Sequence, residues 1–441
     1  MTTISATQAS SAGLSMLATA PTTAQSRRAI YAASIGNVME WYDFNIFAFM
    51  AAPLAKNFFP GSDATAGILS TFAVLGVGLV VRPLGGLIIG RMGDVRGRKP
   101  ALVFTILLMA FGCALIGVLP TYASIGVLAP VLLVLARMMQ GFSSGGEWGS
   151  ATTFMAEWSQ EGRRGYFTSL QQLSNAIGLL LGSGIAALLA TFLSAADLES
   201  WGWRIPFLIG ALFGPVGLWL RRSIDETPPF RRIEGARETA DTASAEGNPL
   251  KTAATAIGFA AGWTVCFYAF LNFMPTFTRI QLKLSSAEAL WSNTIGIIAF
   301  TIFVPIMGAL SDRVGRKPLL LLSSAAFFIL PLPIFMLLVG TNSFALVIAA
   351  QVLFGVALSL YSGPGPAAIA ELFPTRGRTL WLSLSFSLAV ALFGGFTPFI
   401  SQWLISLVGS PLAPTIYIMA VVALSFFVVL KMKETAHSSL R

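Results

Sequence analysis

Histidine is nearly missing from this 441-residue chain, which has a single copy at His437. That excludes histidine metal sites, histidine proton relays and Ser–His or Cys–His nucleophile pairs from the apolar body of the chain. No enzyme is expected, and no cofactor or metal. Cysteine is almost as scarce: Cys113 and Cys266 each sit inside an apolar run and read as small core-filling residues. Neither a disulfide framework nor a thiol metal site can be built from two such residues. Charge is also short, at 11% Asp, Glu, Lys and Arg, against roughly 25% in soluble domains. A nucleotide-binding Gly-x-x-x-x-Gly-Lys-Ser/Thr loop does not occur, which argues against ATP-driven work.

What fills the chain instead is apolar: 55% hydrophobic residues and a mean hydropathy of +0.76. Such a chain lacks the polar surface to face water all round, so a lipid bilayer is its expected surrounding. The net charge of +9 does not imply nucleic acid, because the basic residues recur in short clusters between apolar runs rather than along one stripe.

A helix needs about 20 apolar residues to cross a bilayer core. Twelve runs qualify, near 30–54, 66–90, 101–119, 128–157, 167–193, 204–220, 252–275, 289–310, 318–339, 343–369, 379–408 and 412–431. An all-α membrane protein follows. With the N-terminus inside, 22 of the 28 Lys and Arg residues fall on inner loops and tails, so both termini are expected in the cytoplasm. The expected divisions are a disordered N-terminal tail over 1–28, a six-helix half over 29–222, a linker over 223–251, a second six-helix half over 252–432 and a tail over 433–441. The linker is marked by Thr227-Pro228-Pro229 and mixed charges.

The halves repeat. Gly90-Arg91-Met92-Gly93-Asp94-Val95-Arg96-Gly97-Arg98-Lys99 returns 218 residues later as Gly308-Ala309-Leu310-Ser311-Asp312-Arg313-Val314-Gly315-Arg316-Lys317. Gly149 and Glu157 share their spacing with Gly363 and Glu371, each pair followed by arginines, and Asp225-Glu226-Thr227 echoes Lys433-Glu434-Thr435. Two parallel six-span halves imply a binding site between them near the membrane midplane.

The repeated ten-residue motif resembles the signature of the major facilitator superfamily, with Val95 where that signature usually has Arg. A narrower resemblance runs through Gly36-Asn37-Val38-Met39-Glu40-Trp41-Tyr42-Asp43-Phe44, Arg82-Pro83-Leu84-Gly85-Gly86, Gln140-Gly141-Phe142-Ser143-Ser144-Gly145-Gly146-Glu147 and Trp201-Gly202-Trp203-Arg204-Ile205-Pro206-Phe207. These stretches resemble the metabolite:proton symporter family, which includes citrate, 2-oxoglutarate, shikimate and proline/betaine permeases of bacterial inner membranes. The resemblance implies a two-half, twelve-helix fold, localisation in the bacterial inner membrane, a functional monomer, and symport of a small molecule with protons by alternating access. The Gly-Pro motif of drug antiporters is missing, since no proline follows Gly182-Ser183-Gly184.

Ionisable groups at membrane depth cost about 3 kcal/mol each on insertion scales and mark partners or wet cavities. Glu40, Asp43, Arg82, Arg137 and Glu147 qualify, all in the first half. Glu40, Asp43 and Glu147 are candidate proton carriers; the competing reading is a permanent ion pair that only fixes helix packing. Candidates for the substrate shell are Asn37, Glu40, Arg82, Arg137, Gln171, Tyr268, Asn272 and Tyr361. Asp94, Arg98, Glu157, Arg163, Arg164, Asp312 and Arg316 are candidates for a cytoplasmic gate, because Asp94 and Asp312 can meet helix N-termini of the opposite half. The expected substrate is a di- or tricarboxylate of the citrate kind. That choice rests on Gln171 and Gln172, on Phe393-Gly394-Gly395-Phe396-Thr397-Pro398-Phe399-Ile400, and on a short tail without a coiled coil. The alternatives are a zwitterion such as proline or betaine, an aromatic acid of the shikimate or phthalate type, or a receptor that does not transport.

Overall fold

The computed structural model describes residues 23–436, apart from 62, 97, 146, 158, 160, 161, 223–248, 342 and 375–377. Eight helices among the described residues are long and apolar enough to cross a membrane, or nine when the bent pair Arg316–Ile329 and Pro331–Thr341 counts as one span. Helices Thr23–Phe49, Arg98–Val118 and Arg204–Arg222 complete the twelve at the places of spans one, three and six. The first begins at Thr23, within the stretch expected to be tail; no Pro or Gly separates Pro21 from Gly36 to stop it. Span seven begins at Pro249, inside the stretch expected as linker, and runs to Gln281. The rest of the linker lies outside the described residues.

Local chemistry sets the ends. Span eight, Ser286–Val314, opens on a capping box in which Ser285 and Glu288 exchange side-chain to backbone hydrogen bonds, satisfying donors that a helix start otherwise leaves orphaned. It closes at Gly315, whose φ of 100° lies in a region that L side chains rarely adopt. Span nine was expected to be continuous, but Pro331 starts a second helix at 41° to the first, since proline cannot donate to the turn before it. Span ten divides at Gly363 and Pro364, between Phe344–Ser362 and Gly365–Ala370; Gly363 still donates to the Ser359 carbonyl at 2.9 Å, but Pro364 has no N–H to continue the ladder.

Two spans depart from α geometry at mid-length. Tyr268–Phe273 in span seven and Val390–Gly394 in span eleven are π-helical, a form that widens the turn and recurs at functional sites. They sit side by side, with Gly394 against the ring of Tyr268.

Within the first half, spans two and four touch backbone to backbone. A Cβ on Gly85 or Gly141 would collide with the carbonyl oxygens of Phe142 or Gly78, and one on Gly145 with that of Arg82. The glycines of both resemblance motifs therefore permit close approach and bring Arg82 and Arg137 into one layer. Across the halves, span five lies along span eight, span one meets span seven, and spans two and four meet span eleven.

Candidate functional site between the halves

Glu40 of span one and Arg82 of span two form an ion pair at 2.9 Å, and both are buried. Arg82 also donates through Nε to the Ser144 carbonyl at 3.3 Å. Desolvating two charges is costly, and their mutual attraction offsets it only when the remaining donors are met as well. Arg82 meets that condition inside the first half.

Arg137 does not. It is fully buried in span four, and its guanidinium lies between two rings of span one, 4.6 Å from the centroid of Phe44 and 4.4 Å from that of Phe47. Its Nη1 donates to Gln140 Oε1 at 2.7 Å, while Nε and Nη2 have no hydrogen-bond partner among the described residues. Phe44 in turn meets Tyr268 edge-on at 6.5 Å, across the boundary between the halves. The Tyr268 hydroxyl, Asn272 Nδ2 and Trp41 Nε1 are likewise buried without a hydrogen-bond partner among the described residues. Trp41 packs on Phe267 at 5.2 Å. The central layer thus combines unmet N–H and O–H donors with aromatic faces.

The other expected lining residues are placed differently. Asn37 donates to the Gln171 carbonyl at 3.2 Å, to Ser174 Oγ at 2.6 Å and to Asn175 Oδ1. Gln171 spends its amide on the Trp148 carbonyl at 3.0 Å and accepts from Thr152 at 2.6 Å. Gln172 accepts from Trp148 Nε1 at 3.4 Å and from Asn175 at 2.6 Å. These amides bind spans one, four and five together, which removes the ground on which they argued for a citrate-like substrate. Tyr361 donates to the Phe259 carbonyl at 2.7 Å, inside the second half. The side chains of Glu147, Asp94 and Arg98 lie outside the described residues.

Asp43 is buried on span one beside the Cys113 thiol of span three. It lines a cavity with Glu40, Thr105, Met109, Ser143 and Gly210 that lies within the first half.

On the side of the repeated loop motif, charges cross between the halves. Asp312 accepts from the backbone N–H groups of Gly165 at 2.8 Å and Tyr166 at 2.9 Å, at the first turn of span five, where the helix dipole favours an anion. Arg316 holds the same carboxylate at 2.7 Å. Arg164 pairs with Glu371 at 2.8 Å and Arg378 with Glu157 at 2.8 Å. Arg163 is exposed beside them. Sequence reasoning singled out Asp312, Arg316, Glu157 and Arg164 but gave no gate role to Glu371 or Arg378. Their signal was the repeat itself: both stand 214 residues after Glu157 and Arg164.

The opposite end is closed by contacts of another kind. Phe72 meets Phe273 at 5.9 Å, the Phe396 ring covers Gly76, and Ser183 bonds Thr294 at 2.6 Å. The central layer is therefore enclosed between a charged closure and a largely apolar one.

Two six-span halves, closed over a shared polar layer, define a membrane transporter rather than an enzyme. The chain belongs to the Major Facilitator Superfamily: that family matches residues 280–440, and the family described as "Sugar (and other) transporter" matches residues 29–258. It is 35% identical over 426 residues to the proline/betaine transporter of Escherichia coli K12, covering 94% of this chain and 85% of that protein. It is 34% identical, with the same coverage, to the glycine betaine/proline/ectoine/pipecolic acid transporter OusA of Dickeya dadantii. A putative proline/betaine transporter of Staphylococcus aureus matches at 34% over 92% of this chain and 88% of that protein. Among solved structures, the xylose transporter XylE of E. coli in a partially occluded inward-open conformation aligns with a TM-score of 0.77 at 16% identity, covering 93% of this chain and 98% of that one. A D-xylose–proton symporter aligns with a TM-score of 0.75 at 18% identity, over 94% of this chain and 99% of that one. These likenesses show the fold. The relatives carry the zwitterion alternative, not the citrate-like expectation.

Proposed function

We propose that the chain is a proton-coupled symporter of a small zwitterion of the proline or betaine class. The observation that carries the reading is the pair of unmet donors on Arg137, buried between aromatic rings. A single carboxylate satisfies Nε and Nη2 bidentately. The faces of Trp41, Phe267 and Tyr268 suit the ammonium end of the same molecule, because an aromatic ring attracts a cation over its face. A dicarboxylate is less well served. The other arginine at this depth, Arg82, is already held by Glu40 and the Ser144 carbonyl, so a second carboxylate meets no available cation among the described residues. The names of the relatives, 34–35% identical, support the same substrate class.

In this reading Glu40 or Asp43 carries the proton, and Tyr268 and Asn272 complete the substrate shell from the second half. Asp312, Arg316, Arg164, Glu371, Glu157 and Arg378 close the cytoplasmic side. Charge placement supports both termini inside, in a bacterial inner membrane, and the protein works as a monomer. The halves rock about the central layer, so that each closure opens in turn.

Binding of radiolabelled glycine betaine to the purified protein, with citrate, 2-oxoglutarate, shikimate, phthalate and proline as competitors, tests the substrate. Displacement by proline and not by the polyacids is expected. Arg137→Lys should weaken binding by about a hundredfold, since an ammonium cannot reproduce the planar fork. Displacement by citrate alone would overturn the assignment.

A further inference from the structure

The two donors that the second half brings to the central layer, the Tyr268 hydroxyl and Asn272 Nδ2, stand on one π-helical turn, Tyr268–Phe273. A π turn is rare and wider than an α turn, so the direction of its side chains depends on what holds the backbone between them. Here the hold comes from span eight. Asn293 is buried, and its Nδ2 donates to the Leu271 carbonyl at 3.1 Å, one residue before Asn272. Its other end is met as well, since Gln351 of span ten donates through Nε2 to Asn293 Oδ1 at 3.4 Å. The Asn293 amide is thus engaged at both ends by spans of its own half.

Glycines fix this arrangement. A Cβ on Gly296, one turn beyond Asn293, would stand 2.9 Å from both Cβ and the carbonyl oxygen of Gln351. One on Gly355, a turn beyond Gln351, would strike the Gly296 carbonyl oxygen. Spans eight and ten therefore touch backbone to backbone at the level of the two amides. Gly394 of span eleven leaves room for the Tyr268 ring, which a Cβ there would approach to 2.9 Å. Thr294, the residue after Asn293, bonds Ser183 of span five at 2.6 Å across the boundary between the halves. The same point of span eight is therefore pinned to the half that carries Arg137.

We propose that Asn293 is a positioning residue for substrate binding: it holds the π turn so that Tyr268 and Asn272 donate to the same substrate carboxylate as Arg137, and Gln351 orients it. The inference rests on the reading of Tyr268 and Asn272 as the second half's share of the substrate shell. A carboxylate offers about four lone-pair sites, enough for the two unmet donors of Arg137 and one from each of the other side chains. Asn293 acts through the direction of the turn, and a binding constellation works only when its groups are held within about 0.5 Å of the productive geometry.

Equilibrium binding of radiolabelled glycine betaine to the purified protein tests this through a double-mutant cycle. Asn293→Leu, similar in shape but without the donor, should raise the Kd about tenfold, the worth of one misplaced hydrogen bond to a charged group. Betaine exchange at saturation in proteoliposomes should change less than about twofold, because the loss falls on binding. In a Tyr268→Phe, Asn272→Ala background, which already lacks both donors, Asn293→Leu should add less than about twofold. Gln351→Leu should act in the same direction by about threefold, and it carries the comparison if Asn293→Leu does not fold. Fluorotyrosine in place of Tyr268 supplies a readout without ligand: its fluorine resonance should shift or broaden in Asn293→Leu. An unchanged Kd in folded Asn293→Leu, or a loss of equal size in the background without the two donors, would overturn the proposal. If the wild type binds no glycine betaine, the substrate reading fails; the fluorine resonance then decides whether Asn293 sets the position of Tyr268, and an unmoved resonance would overturn this inference too.

Discussion

Arg164 of the first half pairs with Glu371 of the second at 2.8 Å. Their repeat mates answer in reverse: Arg378 of the second half pairs with Glu157 of the first at 2.8 Å. The two bridges are exchanged by the internal two-fold, so one sequence element, used twice, fastens the halves from both directions. They are not equivalent in burial. The side chains of Arg164 and Glu371 are 9% and 2% exposed, whereas in the second bridge a fully buried Arg378 meets a Glu157 that is 38% exposed and screened by solvent. An exposed pair is worth at most about 1 kcal/mol, while removing one partner of a buried pair costs about 3–5 kcal/mol.

Arg164→Gln is therefore expected to open the motif side more than Glu157→Gln does. Labelling of cysteines placed along the inner half of span five should rise several-fold in the first variant and little in the second. The swap Arg164→Glu with Glu371→Arg should restore part of the closure. Equal labelling in both single variants would mean that the bridges share the load regardless of burial.

Gly165 tests the closure sterically rather than by charge. A Cβ there meets the Arg316 guanidinium, Ser311 Oγ and the Gly308 backbone oxygen. Backbone cannot yield as a flexible side chain can, so Gly165→Ala should hold spans five and eight apart. Substrate exchange is expected to fall about tenfold, in line with an overpacking cost of about 1–3 kcal/mol. Distances between spin labels on spans five and eight check the geometry. A closed distribution identical to the wild type would contradict it.

The Glu40–Arg82 pair is expected to behave as a unit. Glu40→Gln leaves a buried guanidinium uncompensated and should lower thermal stability, with a loss of about 3–5 kcal/mol. Glu40→Gln combined with Arg82→Met should recover much of that stability. Neither variant should accumulate substrate in a pH gradient if Glu40 carries the proton. Accumulation by the double variant would reduce the pair to a packing role.

Glu434, just past span twelve, accepts the N–H groups of Arg316 and Lys317, at the start of span nine, and of Thr435 and Ala436, each at 2.9 Å. Burial works against its charge, yet these four donors outweigh burial and hold its carboxyl below the usual carboxylate range. A carboxylate lowered in the folded state stabilises fully above its unfolded value and ceases to do so as pH falls through the folded one. The contact should therefore persist at neutral and mildly acidic pH and be lost only below the ordinary carboxylate range. Hydrogen exchange at Lys317 and Ala436 should show this, with Glu434→Gln exchanging faster even at neutral pH. A transition at neutral pH would contradict the assignment.

Much of the architecture was legible because membrane physics is severe. Length and apolarity mark a span whatever it packs against, and the repeated Asp312 motif announced its own two-foldness. The site was legible in part. Glu40, Arg82 and Arg137 are conspicuous because charge at that depth is costly, and the structure joins the first two. Gln171 and Asn37 were the hardest to read, because an amide in a span says nothing about whether its partner is cargo or another helix, and here both bond between helices. Cys113 carried no signal at all, since a cysteine in an apolar run normally fills space; only the structure shows Gln140, one turn beyond Arg137, reaching its sulfur on span three at 2.9 Å. The π-helical turns at Tyr268 and Val390 were equally silent, being set by packing between spans rather than by local composition.

The most direct test of the account is uptake of radiolabelled glycine betaine by proteoliposomes under an imposed pH gradient, acid outside. The account predicts accumulation above the external concentration, collapse of that accumulation when a protonophore is added, and an accompanying alkalinisation of the outer medium that is absent with Arg137→Lys. Accumulation that persists in the presence of the protonophore, or uptake that never exceeds equilibration, would contradict proton symport.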